Sequence, residues 1–236
     1  MYEILTKILI SNGYINSDLK LSTENYRSDI FNYKNSDEKN EYFLVFEYIE
    51  QSESAHRRLL DEEANNIFAT IRAADNIQDY FSKNCTMIIC CNRESITSKL
   101  ILETEEDQYN FKKNIIAYTN DELNSLQTKL STTILNSDFS EKNINSLLNS
   151  NKGRAFSDFK AAGGQSNDYY SLLIKLSGKL PFLRYFPVTR DLEDLEEEIL
   201  EELTGDQLMT MKKILSMDPS LDDASFEKFF IEDREQ

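Results

Sequence analysis

Few residues in this chain could do chemistry, and they are scattered. His56, in "SESAHRRLL", is the only histidine. Any nucleophilic triad built on imidazole would have to use it, and no Gly-x-Ser-x-Gly elbow accompanies it. Set among polar residues at the start of a helical pattern, it reads as an exposed, solvated side chain. Cys85, Cys90 and Cys91 fall together in "CTMIICC". Zinc would need paired Cys or His ligands from two places in the chain, so these read instead as buried, reduced structural thiols. "SGK" at 177–179 lacks the upstream glycine of a phosphate loop, and the whole chain has only 6 Gly. Nucleotide binding through a glycine cradle is therefore not expected. Gly163–Gly164 read as a flexible turn. One enzymatic constellation remains, a metal-dependent nuclease built on Asp158 and Lys160, with Glu47, Glu50 or Glu103 as the acidic partner at a strand end. Against it, "SNKGRAFSDFKAAGGQSND" reads as the loosest, most loop-like part of the chain.

Charge narrows the partners. The formal net charge is −16, yet it is unevenly spread. Residues 191–236 hold 4 basic and 16 acidic residues, a net of −12, whereas residues 151–190 hold 7 basic and 2 acidic, a net of +5. A chain this acidic repels phosphate over most of its surface, which excludes a uniform nucleic-acid binder. The acidic run from Asp191 to Glu202 keeps helical apolar spacing and reads as a solvated helix face, with phosphate mimicry as the sharper alternative. The basic stretch ends in "KLPFLRYFPVTR", where prolines bracket aromatics and arginines.

The elements that must position these residues follow from hydrophobic spacing. Residues 2–12 place Ile4, Leu5, Ile8 and Leu9 on one helical face, stopped by Gly13. Residues 16–40 are polar, with extended fragments at Leu19–Leu21 and Tyr26–Tyr33. "EYFLVFEYIE" from Glu41 is the strongest strand signal. Ser52 has the character of an N-cap, and Leu59, Leu60, Ala64, Ile67, Phe68, Ile71 and Ile77 predict one long helix reaching about Phe81. "CTMIICC" predicts a second strand and "SKLILE", around Leu100–Leu102, a third. Thr119 and Glu122 have capping-box spacing for a helix to about Leu135, and a short helix lies near Ile144–Leu148. Beyond Pro187 the pattern is helical throughout, through Leu192, Leu195, Ile199, Leu203, Leu208, Met211, Ile214, Leu215 and Phe226, Phe229, Phe230. The expected architecture is an α/β body over residues 1–190, a small mixed sheet with a long packing helix, followed by an α-helical, acidic C-terminal arm over 191–236. No apolar run is long enough for a membrane span and the N-terminus is not a signal peptide, so a soluble, cytoplasmic protein is expected.

Taken in order, "EYFLVFEYIE", the long helix, "CTMIICC", "ILETEEDQYNFKKNIIAYT" and "KLPFLRYFP" resemble the middle components of bacterial three-component systems built around an SMC/Rad50-like ABC ATPase. Lamassu-type anti-phage systems belong to that group. The likeness spans roughly residues 1–190 and is strongest at "EEDQYNFKKN" (Glu105–Asn114) and "LPFLRYFP" (Leu180–Pro187). The resemblance implies a non-catalytic accessory subunit, without metal or cofactor, placed between the ATPase and an effector that is often a nuclease. Contact with DNA would then be indirect or through the basic segment 151–190, and no membrane is involved.

The expectation for "KLPFLRYFP" is a semi-rigid docking segment. Its prolines fix the backbone, and Phe182, Arg184, Tyr185 and Phe186 are residue types that carry energy at interfaces. Two other readings stand beside it: aromatics that close the body's core, and a platform for stacking single-stranded nucleic acid.

Overall fold

The computed structural model describes residues 1–35, 39–133, 138–164, 168–186 and 203–215. The chain divides into two compact units, Met1–Val188 and Thr189–Gln236.

The first unit is built on a five-stranded mixed sheet in the order β1-β2-β3-β4-β5. Its strands are β1 (Tyr14–Asn16), β2 (Tyr26–Tyr33), β3 (Tyr42–Tyr48), β4 (Cys85–Asn92) and β5 (Lys112–Tyr118). The first two pairings are antiparallel, and β3·β4 and β4·β5 are parallel. All seven residues of β3 are buried because the sheet is covered on both faces. Phe43 and Val45 point to one side, with Ile88, Cys90, Ile116 and Tyr118. That side packs against α1 (Tyr2–Ser11), α6 (Asn120–Thr133), α7 (Glu141–Leu148) and α9 (Tyr169–Lys179). Leu44 and Phe46 point to the other side, with Met87, Ile89 and Cys91. There the sheet meets the crossover helices α2 (Glu53–Arg58), α3 (Ala64–Arg72) and α5 (Ser98–Glu106), and α4 (Phe81–Asn84) leads into β4. The α/β body with a small mixed sheet is therefore as the sequence predicts.

The long helix is present but not continuous. Ser52 caps it, accepting from the Ala55 N–H at 3.2 Å. A π-helical turn over Leu59–Glu63 then separates α2 from α3. Its cause is the apolar spacing: Leu59 and Ala64 lie five residues apart, and the wide turn passes one residue so that Ala55, Leu59, Ala64, Ile67 and Ile71 all face the sheet. The Tyr48 hydroxyl donates to the Glu63 carboxylate that this turn brings round. The α-helix ends at Arg72 rather than near Phe81. An unbroken helix over that span would be roughly 43 Å long, whereas an eight-residue strand such as β4 spans only about 26 Å. The chain must turn back to enter β4 parallel to β3.

Two further expectations are corrected. "SKLILE" is not the third core strand but the body of α5: Thr97 accepts from the Leu100 N–H at 3.3 Å, and only Leu100 and Thr104, one helical turn apart, are buried. The strand lies later, in "KKNIIAY". The apparent loop around Asp158 contains a 3₁₀ turn and then α8 (Arg154–Ala161), because Ala155, Phe156 and Phe159 pack on the core. Gly163 and Gly164, at φ +72° and +73°, end that helix in the left-handed region. Leu19–Leu21 forms no strand. Gly13 stops α1 as expected: its φ is +89°, and a Cβ there would approach the Tyr33 ring to 3.0 Å.

In the second unit, α10 (Gly205–Leu215) starts at a capping pair, with the Thr204 N–H donating to Gln207 Oε1 at 2.9 Å. The expectations for Leu192, Leu195, Ile199, Phe226, Phe229 and Phe230, and for Pro187, lie outside the described residues.

Candidate functional site

The sequence's two most distinctive segments meet at the free edge of β5. Glu105, at the end of α5, accepts from the Ile115 N–H at 2.8 Å, so its carboxylate stands in for a missing strand partner. Lys179 closes on the same carboxylate at 2.6 and 2.8 Å. Its own carbonyl accepts from Asn114 Nδ2 at 3.1 Å. One turn earlier Lys175 Nζ donates to the Ala117 carbonyl at 3.1 Å and to Glu122 at 2.7 Å. Glu122 also completes the expected capping box, accepting from the Thr119 N–H while its own N–H donates to Thr119 Oγ1. Lys113 is buried and donates to Asp107 Oδ2 at 2.8 Å and to the Tyr109 carbonyl at 2.7 Å, which fixes the turn between α5 and β5.

From Lys179 the chain runs across the body. Phe182 is 9% exposed and packs its ring 5.0 Å from Tyr14 and 5.5 Å from Phe43. Leu183 is buried beside it, and Tyr185 is half-buried with its ring 5.9 Å from Phe156. Beyond Leu183 the backbone is held by one face of α7. Glu141 Oε1 accepts from the Arg184 N–H at 3.1 Å. Asn145 accepts from the Phe186 N–H at 2.9 Å and donates to the Arg184 carbonyl. Asn149 Nδ2 donates to the Phe186 carbonyl at 2.8 Å. These three side chains recur every four residues, so a helix face performs the pairing that a neighbouring strand would. The side chains of Arg184 and Phe186 are left in solvent, Phe186 at 56%. Of the four residues that the sequence singles out, Phe182 belongs to the core, Tyr185 is half-covered, and Arg184 and Phe186 are presented.

The same segment forms one wall of a cleft of about 660 Å³ at the amino ends of β3, β4 and β5. Lys39, Lys83, Lys112 and Arg184 stand around it, with Phe182 in its floor and Glu41 as a lining carboxylate. Glu41 accepts from the Tyr14 hydroxyl, and Lys39 lies 3.9 Å from it and 4.7 Å from the centre of the Tyr33 ring. Lys83, Lys112 and the Arg184 guanidinium make no ion pair among the described residues. No local signal in the sequence marks these lysines as a group; only the parallel strands, each entered from the same edge, bring them together.

The opposite end of these strands is closed. Gln51 Oε1 accepts from the Asn92 N–H and the Ser95 hydroxyl, and Asn92 Nδ2 donates to Asn120 Oδ1 at 3.3 Å. Glu47, in β3, is buried with Arg27 and the Tyr118 hydroxyl on it.

Among the described residues no contact joins Asp158 or Lys160 to Glu47, Glu103 or Glu50, the last exposed just past β3, so the nuclease constellation is not brought together. Asp158 and Lys160 lie on α8, which packs on α9 and the preceding 3₁₀ turn, and Lys160 sits 5.8 Å from the Phe156 ring centre. Glu47 is engaged as above, and Glu103 pairs with Arg57 at 3.7 Å and Lys99 at 3.5 Å. Among the described residues no group of three or more His, Cys, Asp or Glu could hold a metal ion. His56 corrects the expectation of a solvated side chain: it is 2% exposed, edge-on to Tyr48 at 5.5 Å, and burial lowers its pKa to about 4. It lies one helical turn before the buried Leu59, on the covered side of α2. The three thiols are buried as expected, and burial pushes Cys91 up to about 12. No described helix is long and apolar enough to cross a membrane.

No curated protein and no solved structure matches the chain. A family model does match, over residues 41–143, from the start of β3 into the first turn of α7. In that stretch, which supplies Glu41, Lys83 and Lys112 to the cleft, the chain is similar to Middle Component 1 of the ABC-three component (ABC-3C) systems.

Proposed function

We propose that the chain is a non-catalytic adaptor of an ABC-three component system, linking an SMC/Rad50-like ATPase to an effector nuclease in a Lamassu-type complex that defends bacteria against phage or plasmid DNA. The observation that carries this reading is the match of residues 41–143 to a middle component. What supports it further is the way the molecule spends its polar groups: its buried charges serve strand edges, turns and caps, and its presented groups sit on a segment clamped for display. Arg184 and Phe186 make the partner contact, with Tyr185 at its border and Phe182 fixing the segment from beneath. Any contact with DNA is indirect or through the basic segment 151–190.

The test is co-expression with the ATPase and effector components followed by affinity purification. Arg184→Ala combined with Phe186→Ala is expected to lower the recovered partner sharply while Tm stays unchanged. Loss of one interface anchor costs ~2 kcal/mol of binding, about thirtyfold in affinity. Undiminished assembly overturns the assignment of the contact. DNA cleavage by the purified chain with Mg²⁺ or Mn²⁺, abolished by Asp158→Ala, overturns the adaptor reading itself.

A further inference from the structure

The cleft at the amino ends of β3, β4 and β5 collects cations in a chain that has 26 basic residues against 42 acidic ones. Lys39 comes from the approach to β3, Lys83 from α4, Lys112 from the first position of β5, and Arg184 from the segment gripped by α7. Three of them have no ion-pair partner among the described residues, although acidic side chains outnumber basic ones and would neutralise them at little structural cost. The one carboxylate in the lining among the described residues, Glu41, is already engaged by Tyr14 and Lys39. Three cations without an ion-pair partner among the described residues, beside the exposed Pro181, are a complementary surface for an anion that also carries hydrocarbon.

We infer that this cleft binds an acidic peptide segment of a protein partner, one that alternates carboxylates with aliphatic side chains. The carboxylates meet Lys83, Lys112 and Arg184, and an aliphatic side chain lies against the exposed Pro181. A small phosphate ligand fits less well. Tight phosphate sites converge rigid donors such as glycine-loop amides on one point, and no glycine lines this cleft. Its cations stand on long, flexible stems around a wide mouth, which suits several charges spread along a chain. A nucleic acid fits less well for one reason. The aromatic rings of the lining are buried, with Tyr42 at 2%, Phe43 and Phe111 at 1% and Phe182 at 9%, so no ring face is offered for a base to stack on.

The inference deepens the adaptor reading by giving the chemistry of one partner segment, but it is tested on the purified full-length chain alone. The probe is a fluorescently labelled peptide of about a dozen residues, with glutamates and leucines at alternating pairs of positions, followed by anisotropy at low salt. Saturable binding is expected, weakened by added salt and weakened about tenfold or more by Lys83→Glu combined with Lys112→Glu. Both positions are exposed, so the fold should survive, and an unchanged Tm checks this. Lys99→Glu, at an 80%-exposed side chain on α5 outside the cleft, should leave binding unchanged. Absence of saturable binding, equal binding by the reversed variant, or equal binding of a glutamine-for-glutamate peptide overturns the inference. Tighter binding of a single-stranded DNA oligonucleotide, lost in the same reversed variant, replaces it with a nucleic-acid site. None of these outcomes alters the co-purification result, so failure here and failure of the adaptor reading are separable.

Discussion

The two ends of the parallel strands differ in how their polar groups are used. At the carboxyl ends, where open α/β sheets usually bind ligands, the space is filled: Gln51, Asn92, Ser95 and Asn120 bond to one another and to strand backbone, and Glu47 is buried between Arg27 and Tyr118. At the amino ends Lys83, Lys112 and Arg184 have no ion-pair partner among the described residues and stand around an open cleft. Topology accounts for the first half of this contrast. Both parallel crossovers, through α2–α3 and through α5, pack on the same face, so β3, β4 and β5 contain no switch point at which their carboxyl ends would part into a crevice. The second half follows from the return of the chain after α9, which lays Pro181–Phe186 along the other end and builds a wall there. In this sheet the cations without partners among the described residues therefore lie at the end opposite to the one where open α/β sheets usually bind ligands.

This contrast can be broken by substitution, and the largest effect should come from the ring that joins the cleft to the core. Phe182→Ala is expected to cost about 3–5 kcal/mol, a fall in Tm on the order of 10 °C for a chain of this length. A melt that barely moves would show that Phe182 is a surface anchor and that the segment is only lightly attached.

At the closed end, His56 gives a pH dependence. Its folded pKa is lowered to about 4 from an ordinary value of 6.5, so the neutral ring is the one the fold accepts. The associated stability is fully present above about pH 6.5 and is lost as pH falls toward 4, at most about 3 kcal/mol in all. His56→Phe, which keeps a ring against Tyr48, should flatten that part of the stability profile. Denaturant midpoints measured across this range check it, and an identical slope in both proteins would place the imidazole in water.

The smallest and sharpest comparison pairs one residue from each end. Gln51→Ala removes the acceptor of a strand-end N–H and should cost about 1–2 kcal/mol. Lys83→Ala should change stability by less than about 0.5 kcal/mol. Equal costs would mean that the cleft cations are structural after all.

Much of this was legible in the chain because periodicity and burial agree. β3 and β4 announce themselves by uninterrupted apolar runs, the Thr119–Glu122 box by its spacing, and α1 by its stripe. "SKLILE" misled because an apolar triplet fits a strand as well as a helix, and the deciding Thr97 cap depends on one hydroxyl. "KKNIIAY" was hidden because Lys113, a buried lysine satisfied by Asp107 and the Tyr109 carbonyl, occupies what should be an apolar position. The π turn at Leu59–Glu63 is written in the five-residue step from Leu59 to Ala64, a spacing that is easily absorbed into an ordinary helix. The candidate site was half legible. The segment 179–186 was conspicuous by composition, yet which of its aromatics would be covered depends on Tyr14, Phe43 and Phe156, far away in sequence. Lys39, Lys83 and Lys112 carry no local signal at all, since only strand pairing makes them neighbours.

The grip of α7 on residues 184–186 has a consequence for how such a molecule can change over generations. Glu141, Asn145 and Asn149 meet residues 184 and 186 through main-chain N–H and C=O groups, so this grip does not depend on the side chains there. Proline is the one exclusion at either position, because it would remove the N–H that is held. Because both side chains are exposed, other residues could be exchanged there without repacking the core, which would make these two positions a mutable display on a fixed mount.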